Sequence, residues 1–134
     1  MEWLRISTSS MLLRVCTEDL VCVCADGNYC DVMLSDGKRR TMTFQLHFFE
    51  ETFRQLHNNT FVRVGRSLIV NTRFIHYISL TEQQLELHGR NLREHIVFSG
   101  LPRDDKSIHC ISLSRDALKG LKESLEREKG LENG

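Results

Sequence analysis

The sequence has few of the features that are typical of membrane proteins or of proteins stabilised by disulfide bonds. No apolar run approaches the ~20 residues that a membrane-spanning helix needs. Proline occurs once, and the five cysteines are an odd number with no C-x-x-C pair and no secretory leader ahead of them. Disulfide frameworks and structural zinc sites use cysteines at recognisable spacings. We therefore expect a reduced, cytoplasmic protein without a membrane segment.

Patterns for catalysis and cofactor binding are also missing. The chain shows no Ser-His-Asp order, acidic pair or phosphate-binding loop of the kind that carries catalysis. His47 and His57 lie ten residues apart without other partners at metal-ligand spacing. Cys22 and Cys24 alternate with valines, which is typical of one face of a strand. We therefore predict no enzyme activity, no cofactor and no metal.

The net charge is zero, although the positive and negative residues are segregated along the chain. The 134 residues fit one domain and contain 18 Lys/Arg and 18 Asp/Glu. Residues 1–37 hold two Lys/Arg against six Asp/Glu, residues 38–115 hold twelve against seven, and residues 116–134 hold four against five. Nucleic-acid-binding domains are commonly basic, and here the basic excess falls in the middle segment.

That middle segment contains the most informative stretch, FVRVGRSLIVNTRFIHYI at 61–78. Two runs rich in β-branched and aromatic residues, which favour strands, flank Gly65-Arg66-Ser67. The pattern predicts a surface turn between two buried strands. On this pattern alone, Gly65 has a positive φ, Ser67 hydrogen-bonds the local backbone and Arg66 is solvated.

Turn chemistry and periodicity predict the remaining elements. Asp-Gly pairs at 26–27 and 36–37 favour hairpin turns and so an antiparallel meander. Apolar residues spaced by 3, 4 and 3 predict a helix at 45–56, and Ser114 is a good N-cap for a last helix reaching about residue 127. The other predicted segments are strands at 2–8, 11–15, 74–80, 84–88, 94–98 and 108–113.

Three of these segments together resemble the LytTR DNA-binding domain family. The wording F-x-R-V-x-R-S-x-I-V-N at 61–71 is similar to the family hallmark Phe-x-Arg-x-His-Arg-Ser-x-x-Val-Asn. A strand ending in Asp-Gly-Lys at 36–38 and Ile-Ser-Leu-Ser-Arg at 111–115 match the family's first meander and its closing Ile-Pro-Val-Ser-Arg. The chain departs from the pattern at Gly65, where most members carry His, and at Ser112, where they carry Pro.

The resemblance implies a mainly β fold: an elongated sandwich of small antiparallel sheets, with one helix after the first meander and one at the C-terminus. It implies a single stand-alone domain over residues 1–129 without a receiver, followed by a frayed tail at 130–134. The core match covers 19–80 and 108–122, and residues 89–107 form an enlarged loop. Control of such a domain would come from its abundance, from an unidentified regulatory protein or from a segment outside this sequence.

The resemblance also implies that three loops face DNA. The implied contact residues are Asn28, Tyr29, Arg66, Ser67, Ser114 and Arg115, with phosphate contacts from Lys38, Arg39, Arg40 and Arg63. Arginine can read guanine O6 and N7, and Asn or Ser can reach other base edges. Two alternatives stay open: Tyr29 can pack its ring at a hairpin edge, and the three cations at 38–40 can protect a sheet edge against aggregation.

The predicted function is a sequence-specific transcription regulator that contacts the major groove of double-stranded DNA through loops. Because one small module buries little surface, we expect two protomers on a direct or inverted repeat. The alternative is a protein-interaction or small-ligand module on the same fold that has lost DNA binding. Gly65, the zero net charge and the acidic first quarter of the chain favour this alternative.

Overall fold

The apolar runs form eleven strands and two α-helices in the computed structural model, which describes residues 2–127. The strands are β1 (Trp3–Ser7), β2 (Leu12–Cys16), β3 (Leu20–Asp26), β4 (Tyr29–Leu34), β5 (Arg39–Met42), β6 (Phe61–Val64), β7 (Leu68–Asn71), β8 (Ile75–Ser79), β9 (Gln84–Leu87), β10 (Ile96–Ser99) and β11 (Ile108–Cys110). The helices are α1 (Leu46–Arg54) and α2 (Arg115–Glu126). The tail expected to fray, residues 130–134, lies outside the described residues.

A five-stranded antiparallel sheet in the order β5-β4-β3-β7-β6 forms the middle layer. Its central strand, β3, is buried on both faces, which explains why the sequence LVCVC is continuously apolar instead of alternating. Gly27 and Gly37 close the turns on either side of β4 with φ values of +61° and +91°. The meander predicted from the two Asp-Gly pairs is therefore confirmed.

Each face of this sheet has its own apolar core. On one face, the β1–β2 hairpin and α1 cover the sheet, and Phe49 of α1 packs in the same cluster as Val23 of β3. On the other face, Cys22 and Cys24 join the cluster that contains Leu118 of α2. The two thiols thus share one face of β3, as their alternation indicates. Burial, with nearby Asp31 second, raises the pKa of Cys24 to about 11, which keeps that thiol protonated at neutral pH.

The second large sheet has four strands in the order β11-β10-β9-β8 and covers the α2 side of the molecule. The pairs β8–β9 and β9–β10 are antiparallel, whereas β10 and β11 run parallel, with Val97 opposite Ile108. This parallel pair departs from the expected antiparallel pairing because residues 100–107 carry the chain back to the start of β10 before β11 begins. β11 ends at Cys110, three residues earlier than predicted.

The expected fold class is confirmed: small sheets dominate, α1 follows the first meander and α2 closes the described chain. α1 lies within the predicted 45–56, and α2 begins directly after Ser114 as its N-cap predicts. The enlarged loop at 89–107 contains β10. Neither helix in residues 2–127 has the length and apolar content needed to cross a membrane.

Candidate nucleic-acid interface

The turn at 65–67 joins β6 and β7, which pair from Phe61↔Asn71 to Val64↔Leu68. Gly65 has a φ of +66°, as the sequence predicts for this turn. Histidine, the usual family residue at this position, is among the residues enriched at positive φ. The guanidinium of Arg66 is exposed and has no hydrogen-bond or ion-pair partner within residues 2–127. The turn therefore presents a free cation to solvent.

Gly65→Ala should lower the free energy of unfolding by about 1–2 kcal/mol, because an L-residue at this φ brings its Cβ close to the following carbonyl. Steric crowding does not cause the expected destabilisation, since a Cβ at Gly65 would meet the Ala117 Cβ at an ordinary 3.5 Å. Gly65→Asn is the matched control, because Asn tolerates this conformation. Chemical denaturation measures both. An alanine variant as stable as the asparagine variant would contradict the assignment of strain.

The Arg63 side chain stabilises the turn through polar contacts. Its Nε donates to the carbonyl oxygen of Gly65 at 3.1 Å, one terminal nitrogen donates to the carbonyl oxygen of Arg66 at 3.3 Å, and the other pairs with Oε1 of Glu50 at 3.2 Å. The phosphate contact that the resemblance implies for Arg63 stays a prediction. In the structure its guanidinium contacts the backbone of the turn that carries Arg66.

The β3–β4 turn, Gly27-Asn28, lies beside this turn because β3 pairs with β7. Cys24 is opposite Leu68, and the Ala25 amide donates to the Ser67 carbonyl oxygen at 2.8 Å. Tyr29, the first residue of β4, is 51% exposed, so much of its side chain is open to solvent. Asn28 is exposed at the tip. Both residues are therefore accessible to a ligand of this end of the sheet.

The start of α2 is the third segment at the same end. The Ser114 side chain accepts a hydrogen bond from the Ala117 amide at 3.1 Å and so caps the helix. A Cβ built at Gly65 would lie 3.5 Å from the Ala117 Cβ and 3.9 Å from the Ser112 carbonyl oxygen, which brings α2 against the 65–67 turn. Arg115 is exposed at the first helical position, with Asp116 next to it.

The structure thus brings together the three segments that the sequence analysis selected. We call the surface formed by residues 26–29, 65–67 and 112–115 the loop end. Two arginines at the loop end, Arg66 and Arg115, are exposed and unpaired among the described residues, whereas Asp26 at the loop end and Asp116 next to Arg115 add negative charge. Exposed arginines beside short polar side chains can donate to phosphates and to base edges.

Lys38, Arg39 and Arg40 do not share one surface. Arg39 and Arg40 begin β5, an edge strand in which side chains alternate between the two faces, and Lys38 directly precedes it. Arg40 is on the face of the buried Met42, whereas Arg39 lines a groove on the opposite face together with Ser67 of the loop end. Lys38 lines the adjoining groove, also with Arg39. Of the two strand arginines, only Arg39 borders the loop end.

Two further residues at this end have no signal in the sequence. Gln83 has a φ of +49°, and its side-chain amide donates to the Leu113 carbonyl oxygen at 3.2 Å, which fixes the segment that leads into α2. His109 lies in the groove with Arg39; burial first, and then the Arg39 charge, lowers the pKa of its imidazole. Gln83 and His109 each interact with a residue that is distant in the sequence, so local sequence patterns do not predict these interactions.

Comparison with known proteins identifies the fold. The family model of the LytTR DNA-binding domain matches residues 10–100, which include the turns at 27–28 and 65–67 and end before Ser114. A comparison with curated proteins finds no match.

Among solved structures, the chain is similar to the LytTR DNA-binding domain of a protein described as a methyl-accepting/DNA response regulator from Bacillus cereus. The two chains share 18% identity, the TM-score is 0.58, and the alignment covers 93% of this chain and 97% of the other. At this identity the likeness concerns the fold. The family consists of DNA-binding domains and is not an enzyme family. Because the family model matches more than half of the sequence, the chain belongs to the LytTR DNA-binding domain family.

Proposed function

We propose that this protein is a sequence-specific transcription regulator that inserts the loop end into the major groove of double-stranded DNA. The observation that carries the proposal is the convergence of three separate segments at one end of the five-stranded sheet. The Ala25 amide bonded to Ser67 joins the first two segments, and the third lies close by, since a Cβ added at Gly65 would come within 3.5 Å of the Ala117 Cβ. Each of the three segments is anchored by strands or by α2, so the exposed side chains are already in position before the protein binds DNA.

In this proposal the side chains have different roles. Arg66 and Arg115 read bases, and Asn28, Tyr29, Ser67 and Ser114 contact nearby base edges or phosphates. Arg63 positions the turn, because its nitrogens are already bonded to the Gly65 and Arg66 carbonyl oxygens and to Glu50. The proposal places the protein with its DNA in the cytoplasm, under the control of its abundance, of a regulatory protein or of a segment outside this sequence.

Arg39→Ala should lower the slope of log affinity against log salt by about one, because each phosphate contact releases roughly one counterion. The effect should be similar for all DNA sequences, since phosphate contacts carry no sequence information. Arg40→Ala is the matched control, because Arg40 lies on the opposite face of β5. Fluorescence anisotropy at several salt concentrations measures both slopes. Slopes equal to that of the parent protein for both variants would exclude β5 from the DNA interface.

Two protomers are proposed to occupy each site, because a single module of this size buries little DNA surface. Selection from a random duplex pool should therefore yield a direct or inverted repeat with half-sites about 10 base pairs apart. Sedimentation of the selected duplex should show two chains bound. A selected site without a repeat, saturated by one chain, would contradict this arrangement. A pool that yields no enriched sequence would favour a module that has lost DNA binding.

A further inference from the structure

A groove lies between the β4–β5 hairpin and the start of β10, next to the loop end but outside it. Its volume is about 310 Å³, which is in the range of small-ligand sites. Its lining comes from residues within 33–39 of the five-stranded sheet and from residues within 92–96 and 106–109 of the four-stranded sheet and its connections. The Arg93 amide donates to the Ser35 carbonyl oxygen at 3.1 Å and joins the two sides. The groove therefore exists only in the folded chain.

Three cations border the groove without an ion-pair partner. Lys38, Arg39 and Lys106 are exposed, and none of them pairs with a carboxylate within residues 2–127. Glu94 is the one carboxylate in the lining, which leaves an excess of two positive charges when histidine is counted as neutral. Like charges around one concavity repel one another, and an anion between them offsets that repulsion. The charge of the groove therefore favours a dianion.

Hydrogen bonds hold the two turns that carry the lysines. The Lys38 amide donates to Oδ1 of Asp36 at 2.9 Å, and the Lys38 carbonyl oxygen accepts from the Leu34 amide at 2.9 Å. Oδ1 of Asp105 accepts from the Ser107 hydroxyl at 2.7 Å and from the Ser107 amide at 2.9 Å. These two bonds, the hydroxyl first, lower the pKa of the Asp105 carboxyl, which stays ionised and bonded to its own turn. The backbone at both lysines is thus in place before a ligand binds.

Apolar side chains lie between the charged residues. Met33 and Leu92 are buried, and Ile96 is half-buried. His109 adds an imidazole that packs against Phe98, with the ring centroids 5.4 Å apart. Small-ligand sites typically combine such an apolar surface with a few polar groups that orient the ligand. The lining therefore suits a ligand with an anionic head and an apolar body.

We propose that this groove binds a small phosphate monoester whose ester group is apolar. The phosphate lies among Lys38, Arg39 and Lys106, and the ester group covers Met33 and Ile96. A phosphate monoester carries about −1.5 to −2 charges at neutral pH, which matches the excess of two positive charges in the lining. A single carboxylate has about half of that charge, and an inorganic phosphate leaves the apolar side chains uncovered.

Arg39 connects the groove to the loop end. It also lines the adjoining groove of about 340 Å³, which contains Ser67. A ligand phosphate bound to Arg39 competes with a DNA phosphate for the same guanidinium. The ligand should therefore lower the affinity for DNA and reduce its salt slope by about one, as Arg39→Ala does. This consequence rests on the proposed function, whereas the binding site itself does not.

Calorimetric titration of the full chain at neutral pH, without DNA, tests the site with three probes. Phenyl phosphate carries both the head and the apolar body, inorganic phosphate carries the head alone, and phenol carries the body alone. We expect one phenyl phosphate per chain, bound roughly tenfold more tightly than either of the other two probes, because only this probe uses both parts of the lining. The double variant Lys38→Ala/Lys106→Ala should weaken phenyl phosphate binding roughly tenfold or more, because two charge-assisted contacts with the phosphate are lost.

Arg5→Ala/Lys119→Ala is the charge-matched control, because Arg5 on β1 and Lys119 on α2 are exposed outside the groove. It should bind phenyl phosphate as the parent does, and thermal melting should show both double variants folded, since all four side chains are on the surface. Three results would each overturn the proposal: no binding of phenyl phosphate at millimolar concentration, equal affinity for phenyl phosphate and inorganic phosphate, or equal affinity of the two double variants. Because these titrations contain no DNA, their outcome is independent of whether the loop end binds DNA.

Discussion

Arg66→Ala and Arg115→Ala should each weaken binding to the preferred DNA site by roughly 1–3 kcal/mol and change binding to scrambled DNA much less. Both guanidinium groups are exposed at the loop end without partners among the described residues. Neither has to break an intramolecular contact before it reaches a base. The substitutions therefore remove a contact made only with DNA.

The same reasoning predicts that both variants fold normally. Exposed residues outside networks usually change stability by no more than about 0.5 kcal/mol. Circular dichroism and thermal melting accompany the anisotropy titrations, and Arg90→Ala serves as control because Arg90 is exposed in the connection between β9 and β10, away from the loop end. If both variants bind the selected site as the parent does, the loop end does not read DNA. Gly65 would then indicate a domain that has left DNA binding behind.

Gly100→Ala should have the largest effect on stability, lowering the free energy of unfolding by about 3 kcal/mol. A Cβ at this position would lie 1.9 Å from the Leu113 carbonyl oxygen, which is a backbone atom. The Gly100 amide also donates to the Gln83 carbonyl oxygen at 2.9 Å, so the end of β10 cannot move away freely. Relief of the clash would displace the segment before α2, and DNA binding through Arg115 should weaken too.

Gly120→Ala is the matched control for Gly100→Ala. Gly120 lies inside α2, and a Cβ there would meet no atom within 4 Å. Because alanine is favoured over glycine in helix interiors, this variant should gain about 0.8–1 kcal/mol. Urea denaturation measures both changes. A Gly100→Ala protein as stable as the parent would contradict the close packing of β10 against Leu113.

Local chemistry made much of this fold predictable from the sequence. The Asp-Gly pairs and Gly65 favour turns in which the glycine has a positive φ. The structure shows a positive φ at Gly27, Gly37 and Gly65. The N-cap at Ser114 is equally local, since its partner is the amide three residues later. Such features depend on neighbours in the chain, and they fixed the turns that form the loop end.

Features that depend on strand register were not predictable in the same way. The parallel β10–β11 pair follows from the path of residues 100–107, and the hydrophobic periodicity of the sequence does not indicate that path. Arg63 bonds to Glu50 of α1 as well as to the turn, and its pairing with Glu50 depends on how α1 packs, which the local sequence does not show. In the same way, His88 and His95, whose ring centroids are 4.2 Å apart, become neighbours only when β9 and β10 pair in their observed register.

One titration decides whether the loop end reads DNA sequence. The unmodified protein is titrated by anisotropy, at a fixed near-physiological salt concentration, against its selected duplex and against a scrambled duplex of the same composition. Specific sites are typically bound at least 10³-fold more tightly than non-specific DNA, and the account predicts a preference of that order. Equal affinity for the two duplexes, or no measurable binding to either, would contradict it.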